Sequence, residues 1–341
     1  MTRGRLAELL GSLARVRAGV IGDFCLDAYW DLDTGPPEPS LETGKATRAV
    51  RRQRYSLGGA GNVVSNVADL GAGSVYGFSV ISDDLFGREL LALLRARTVD
   101  VYGIVMQDGD WDTPVYAKPY RESEEQERFD FGRRNTIIPE TELKLTGALR
   151  TMVPELDVLI VNQQLPRGVY APSVIAGINR IAKEEARLIC VLDARTMSDR
   201  FRGMVVKLNA AEAARVAGKD LPAGEQLPHD ALQRHALAIA EKQRKPVYVT
   251  RSEEGILLCD GGRCTDIPAI PFTGLSDPVG AGDSSVAAIA LALAAGATPI
   301  EAGELANLAA AVTVRKLKQT GTATGEEILA VFDGHGGPSY R

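Results

Sequence analysis

The residues with the greatest chemical reach in this chain stand together at Asp277-Pro278-Val279-Gly280-Ala281-Gly282-Asp283-Ser284. A proline-free run of small apolar residues follows over 285–295, mostly alanine and leucine, and its composition predicts a buried helix. The glycines then fall at the helix N-terminus. Free backbone N–H groups and the positive end of the helix dipole suit an anion there. Asp283 falls in or beside the first turn. If the anion is a phosphoryl group in transit, that carboxylate is placed to take the proton of an attacking hydroxyl. A capped helix after a tight turn uses the same residue types, so the rest of the chain has to decide.

The elements that would position such a site are legible as a rhythm. Short apolar segments at 18–21, 74–81, 158–161, 188–192, 205–208, 247–249 and 256–259 read as strands. They alternate with helical patterns, such as Val174, Ile178, Ile181 and Ala182 or the stretch from Ala210. This alternation predicts an α/β fold whose parallel sheet is covered on both faces. Most of the strands end on a polar residue: Asp23, Asn162, Asp193, Asn209, Thr250. In a parallel sheet those ends share one edge, where such folds bind ligands. Residues 5–15 read as an amphipathic helix, Gly58-Gly59-Ala60-Gly61-Asn62 opens another, and Asp83-Asp84 caps a third that runs to about Arg97. Two stretches break the rhythm. Residues 31–57 carry Pro36, Pro37 and Pro39 and then a polar, strand-like piece over 47–55, and residues 111–132 alternate polar and apolar. These two are expected to pair as a small accessory sheet. The tail from Gly334 is expected to fray.

Composition narrows the classes. With 341 residues and 45% hydrophobic content the chain supports a sizeable core. A net charge of -5 argues against a general nucleic-acid binder. Cys25, Cys190, Cys259 and Cys264 show no C-x-x-C spacing and lie apart from the three histidines, so no zinc site is expected, and scattered thiols fit a reducing compartment. The charged N-terminus offers no signal-peptide core, and the 285–295 run is too short to span a bilayer. The expectation is a cytoplasmic protein that binds neither nucleic acid nor membrane.

Gly44-Lys45 is followed by Ala46 and lacks the spacing of a Walker A loop, and no G-x-G-x-x-G joins a strand to a helix. Taken together, the residues instead resemble the ribokinase-like (PfkB) family of carbohydrate kinases. Asp277-x-x-Gly280-Ala281-Gly282-Asp283 matches the family's C-terminal signature. Gly58-Gly59-Ala60-Gly61-Asn62, with Asn66, Ala68, Leu70 and Gly71, matches its N-terminal one, and Asn209-Ala210-Ala211-Glu212 matches its N-x-x-E motif. Gly22-Asp23 with Asp27, Asp83-Asp84-x-Phe86-Gly87, the strand ending at Thr250, and Asn307 in an alanine-rich helix fit in order. The likeness covers about residues 17–330.

Within the family the chain is most similar to the heptose-7-phosphate kinases that form one half of a bifunctional kinase/adenylyltransferase. Residues 250–255, 306–310, Lys316-Leu317 and Arg128-Phe129-Asp130-Phe131 carry that likeness, and the sequence is expected to hold the kinase half alone. Two segments depart from it. Residues 37–42 replace a serine-proline-rich segment, and Gln164-Leu165 replaces an aspartate-tyrosine pair.

The resemblance implies a three-layer αβα sandwich, one domain over 1–341, with lid segments at about 31–57 and 111–132. It implies transfer of a phosphoryl group from ATP, with Mg²⁺, to a hydroxyl of a sugar or sugar phosphate. Asp283 would be the general base, with the amides of Gly280, Ala281 and Gly282 as the anion hole. Asp23, Asp27 and Asn62 would hold sugar hydroxyls, and Gly58 and Gly59 would let the lid bend. Asn209 and Glu212 would face the phosphates, Glu212 holding Mg²⁺ through water. Thr250, Ser252 and Gly255 would line the ATP groove, with Asn307 near the adenine. Asp277, Val279 and the loop Thr320-Gly321-Thr322 match the region where relatives bind a monovalent cation such as K⁺. Arg51, Arg52, Arg54, Arg128, Arg167 and Arg195 would either grip an acceptor phosphate or serve as solvated surface charge. The lid strands would support a homodimer. The competing readings are a nucleoside kinase, which needs an aromatic platform that Tyr29, Trp30 or Trp111 would supply, and a silent regulator, which would tolerate loss of Asp283.

Overall fold

The computed structural model describes residues 1–122, 124–219, 227–317 and 321–335. In chain order the strands are β1 (Arg17–Gly22), β2 (Phe24–Leu32), β3 (Val50–Gly59), β4 (Ser74–Ile81), β5 (Asp100–Met106), β6 (Val115–Arg121), β7 (Glu124–Glu125), β8 (Phe129–Phe131), β9 (Val158–Gln163), β10 (Ile189–Ala194), β11 (Val205–Asn209), β12 (Val247–Thr250), β13 (Ile256–Asp260) and β14 (Arg263–Ile267). The helices are α1 (Arg3–Leu13), α2 (Ala60–Asp69), α3 (Leu85–Ala96), α4 (Pro139–Met152), α5 (Pro172–Glu184), α6 (Ala210–Val216), α7 (His229–Gln243), α8 (Ala281–Ala294), α9 (Pro299–Thr313) and α10 (Gly325–Gly334).

The large sheet runs β14-β13-β12-β11-β10-β9-β1-β4-β5. It is parallel from β12 to β5, and the β13–β14 hairpin extends it antiparallel. Its strands are apolar on both sides because both sides are covered. Val20, Ile160 and Val191 pack with α2, α8 and α9, while Ile21, Val161 and Leu192 pack with α4, α5 and α7. This is the expected three-layer α/β sandwich. Strand order reverses between β1 and β9, the kind of switch point at which such sheets open a crevice. Among the described residues, no helix is long and apolar enough to cross a membrane.

The small sheet corrects the sequence reading in two respects. It begins at Phe24 rather than near residue 31, since the chain passes from β1 through Asp23 straight into β2. The expected pairing of 45–57 with 111–132 holds only in that both join one small sheet, for they do not touch directly. β2 lies between them, antiparallel to β3 and parallel to β6, and β7 and β8 both pair with β6. The cysteine expectation changes as well. The β13–β14 register sets Cys259 opposite Cys264 and their sulfurs are joined, leaving Cys25 and Cys190 free and buried. Gly334 closes α10, and the rest of the expected frayed tail, beyond residue 335, lies outside the described residues.

Candidate active site

The N-terminus of α8 lies where the sequence placed it. Gly280 takes φ 85°, a left-handed value that favours glycine, and turns the chain into the helix. The Ala281 N–H turns back to the Pro278 carbonyl at 3.2 Å, and the Asp277 carboxylate accepts from the Val279 N–H at 3.0 Å. The N–H groups of Gly282 and Asp283 find no protein acceptor among the described residues, so the anion hole narrows to these two amides with Gly280. Asn62, at the start of α2, donates its Nδ2 to the Asp283 carboxylate at 2.5 Å. The Asn66 amide holds the Asn62 carbonyl at 2.9 Å, and Ser284 Oγ joins Asn66 Oδ1 and Thr313 Oγ1, both at 2.6 Å. The two glycine-rich signatures therefore meet through their polar residues. Asn62 was expected on the sugar; here its amide orients the candidate base. Burial first, and then Asp193, pushes the Asp283 carboxyl up to about 6, while Asn62, Lys207 and Arg195 pull it down.

Beneath that turn runs a polar row that strand order alone creates. Asn162, Asp193 and Lys207 are register partners on adjacent strands β9, β10 and β11. Asn162 Nδ2 donates to Asp193 at 3.1 Å, and Lys207 Nζ reaches Asp193 at 3.3 Å, all buried. Sequence reading named Asn162 and Asp193 as strand ends and missed Lys207. The available signal was a lysine inside the apolar stretch Val205-Val206-Lys207-Leu208, a costly place for an unpaired charge.

On the lid side the expected residues divide. Asp23 is fully engaged in structure: its carboxylate accepts the backbone N–H groups of Gln164 and Leu165, each at 2.8 Å, and of Val169 at 2.9 Å. It clamps the loop after β9 rather than offering oxygens to a sugar. Asp27 lies buried at the base of the lid and pairs with Lys118 at 3.1 Å, another residue the sequence did not single out. Its carboxylate rests where a Cβ on Gly58 would stand, at 3.1–3.3 Å. A Cβ on Gly59, at φ 55°, would meet the Asp23 carbonyl at 2.4 Å, so Gly58 and Gly59 serve close packing. Of the arginines, Arg51 and Arg52 are exposed on β3, and Arg54 lies over Tyr29. Arg128 grips Asp130 and covers Tyr116, and Arg167 holds Thr136 Oγ1 at 2.9 Å. Arg195 is exposed, follows β10, and lowers the carboxyls of both Asp23 and Asp283. Trp111 is 2% exposed with its indole N–H on the Val80 carbonyl, so it provides no platform for a base.

On the other side of α8, Asn209 and Glu212 form a reciprocal capping box at the start of α6, each bond 2.8 Å. Burial and the neighbouring Asp193 push the Glu212 carboxyl up. A cleft of about 400 Å³ opens beside it, lined by Asn209, Thr250, Arg251 and Ser252 among others. Gly255, at φ 85°, sits where a Cβ would meet the Ile267 carbonyl at 2.2 Å, so it fixes the turn between β12 and β13. Asn307 spends its amide donors on the carbonyls of Ile267 and Pro268, at 3.0 and 2.9 Å. A larger cleft of about 670 Å³ lies around Asp69, Tyr76, Arg97 and Asp100, lined by none of these site residues.

Among the described residues no group of three or more His, Cys, Asp or Glu makes a ready-made metal cage. The convergence of Asp193, Glu212 and Asp283, two of them pushed toward protonation, still suits a divalent cation that keeps most of its water and takes one carboxylate with substrate phosphates. In the expected monovalent-cation region, Thr320 lies outside the described residues. The Thr322 carbonyl accepts Lys316 Nζ at 2.7 Å.

Comparison with known proteins agrees with the fold. The family model described as pfkB family carbohydrate kinase matches residues 26–325. The bifunctional protein HldE of Trichlorobacter lovleyi is 30% identical over 97% of this chain, and that of a Caulobacter species is 30% identical over 98%. The chain spans 65% and 66% of their lengths, about two thirds. Among solved structures, phosphofructokinase-2 from Escherichia coli in complex with potassium superposes with a TM-score of 0.72 at 20% identity, covering 94% of this chain and 99% of its own. Arabidopsis thaliana ribokinase complexed with ribose and ATP gives 0.69 at 18% identity, covering 93% and 98%. At these identities the structures speak for the fold, which is ribokinase-like.

Proposed function

The chain belongs to the pfkB family of carbohydrate kinases, and from that premise we propose that it transfers the terminal phosphoryl group of ATP to a hydroxyl of a sugar phosphate of the heptose-phosphate kind. The observation that carries the proposal is the Asp283 carboxylate, held by Asn62 beside two helix N–H groups that have no acceptor among the described residues. In the proposed step the acceptor oxygen bonds to phosphorus, the bond from phosphorus to ADP breaks, and the hydroxyl proton passes to Asp283. The amides of Gly280, Gly282 and Asp283 would take the charge on the transferring group. Asn209, Thr250 and Ser252 line the cleft proposed for ATP. Glu212 would hold Mg²⁺ through water, and the metal would neutralise phosphate charge when bound. Asp27 with Lys118 would meet the acceptor's hydroxyls at the base of the lid.

A phosphorylated acceptor is favoured over a free sugar by Arg195, which stands exposed after β10 within electrostatic reach of Asp23, Tyr116 and Asp283, whereas Arg128 and Lys118 are already paired with Asp130 and Asp27. It is favoured over a nucleoside because Trp111 is in the core and Tyr29 is covered by Arg54 and Lys118. We further propose one catalytic unit with its lid inserted, action in the cytoplasm, and a homodimer formed through the lid, where Phe129 and Phe131 are exposed. A monovalent cation beside Asp277 completes the proposal. Coupled ADP release against free sugars, sugar phosphates, heptose phosphates and nucleosides tests the reading. Turnover confined to a phosphorylated sugar is expected, and turnover on nucleosides alone would overturn it. Replacing K⁺ by a tetraalkylammonium ion should slow that turnover, and unchanged rates would remove the monovalent cation.

A further inference from the structure

Lys207 is 5% exposed and lies in the sheet beneath the first turn of α8. Its ammonium carries three donors. Among the described residues its one hydrogen bond is to Asp193. A Cβ built on Gly282 would stand 2.9 Å from its Nζ, so the ammonium reaches the very turn whose N–H groups lack acceptors. A cation at the positive end of a helix is repelled by the dipole. Burial opposes its charge too, yet Asp193, Glu212 and Asp283 keep it protonated. Packing alone gives no reason for this arrangement, since an apolar residue of similar volume fills a strand position more cheaply than a buried ion pair does. An anion placed between Lys207 and the α8 N-terminus satisfies all of these groups at once. Without such a cation, an incoming phosphate would face three carboxylates.

We propose that Lys207 is a catalytic residue of the transfer step. Anchored on Asp193, its ammonium contacts the phosphoryl group in transit from below, opposite the amides of Gly280, Gly282 and Asp283. The proposal rests on the kinase reading above and adds a residue to it.

The test compares two affinities on the whole chain, for Mg-ADP and for a non-hydrolysable Mg-ATP analogue that carries the third phosphoryl group. In Lys207→Met, whose unbranched side chain occupies similar space, Mg-ADP affinity should stay within about threefold of wild type. Affinity for the ATP analogue should fall roughly 10–100-fold, the span of a charge-assisted hydrogen bond. Turnover on the acceptor found by ADP release should fall roughly 10²–10³-fold, and Lys207→Arg should recover part of both. Equal changes in the two affinities, or turnover within about threefold of wild type, would overturn the proposal. If Lys207→Met does not fold, the neutral pair Asp193→Asn with Lys207→Met leaves no unpaired buried charge and is judged by the same two affinities. Wild type that binds neither nucleotide would sink the kinase reading itself, whereas wild type and variant that bind and turn over alike would sink only the role of Lys207.

Discussion

To act as the proposed base Asp283 must be ionised, and it sits half-buried where ionisation is costly, a tension that yields the most specific expectations. Its carboxyl is pushed up to about 6, so kcat/KM should fall about tenfold per pH unit below that value; a profile flat down to pH 4.5 would remove it as base. Asp283→Asn should lose roughly 10²–10⁴ in kcat with the fold retained. The same substitution should stabilise. A carboxyl whose folded pKa is raised contributes stability that is present below the unfolded value and lost as pH rises through the folded one. Asp283→Asn should therefore be more stable than wild type at pH 8, by on the order of 1–3 kcal/mol, and the gap should close near pH 4. Thermal melts at the two pH values decide this. Asn62→Ala removes a hydrogen bond that favours the charged form, so the acid limb of the rate profile should move upward. Asp283 was legible from sequence because helix N-terminal chemistry is local. Asp23 and Asn307 were legible as polar residues at ordered positions but not in their tasks. The partners that consume their hydrogen bonds lie 141 and 40 residues away, and only the folded chain brings them together.

At the level of elements, the glycines show most clearly what positions the site. Gly59 combines φ 55° with a carbonyl 2.4 Å from any added Cβ, and Gly255 combines φ 85° with one at 2.2 Å. Gly255→Ala should cost on the order of 1–3 kcal/mol and weaken nucleotide binding, because the turn it fixes leads from the cleft proposed for ATP into β13; a denaturant midpoint equal to wild type would contradict that. The parallel core was readable in advance because strands buried on both faces are nearly continuous apolar runs. The lid was readable only as a break in that rhythm. β2 follows β1 across the single residue Asp23, and Gly22-Asp23 looks like a strand end in any local window. Lys207 escaped for a related reason, since its meaning lies in register with Asp193, and register requires the strand order. The cysteine pair likewise depends on a hairpin with β14, a strand that the sequence pattern did not mark. Thiol titration of the unfolded, unreduced chain should find two free thiols, from Cys25 and Cys190; four would contradict the bridge.

For the whole molecule, the sheet reverses its strand order at β1 and β9, and the base, the unpaired amides and the polar row gather there. The cleft proposed for ATP opens toward β12, and the lid rises from the end of β1. On the proposed reading, this division would place donor and acceptor on opposite sides of one carboxylate and would let the lid exclude water during transfer. If the lid also joins two copies, sedimentation at micromolar concentration should show a dimer, and a monomer alone would confine its role to closure. Phosphoryl transfer to a sugar phosphate stands or falls on ADP release with Mg-ATP and heptose phosphates, run beside free sugars and nucleosides. Turnover is expected on a phosphorylated sugar and should disappear with chelation of the metal and in Asp283→Asn. ATP binding with no turnover on any acceptor, or turnover on nucleosides alone, would contradict it.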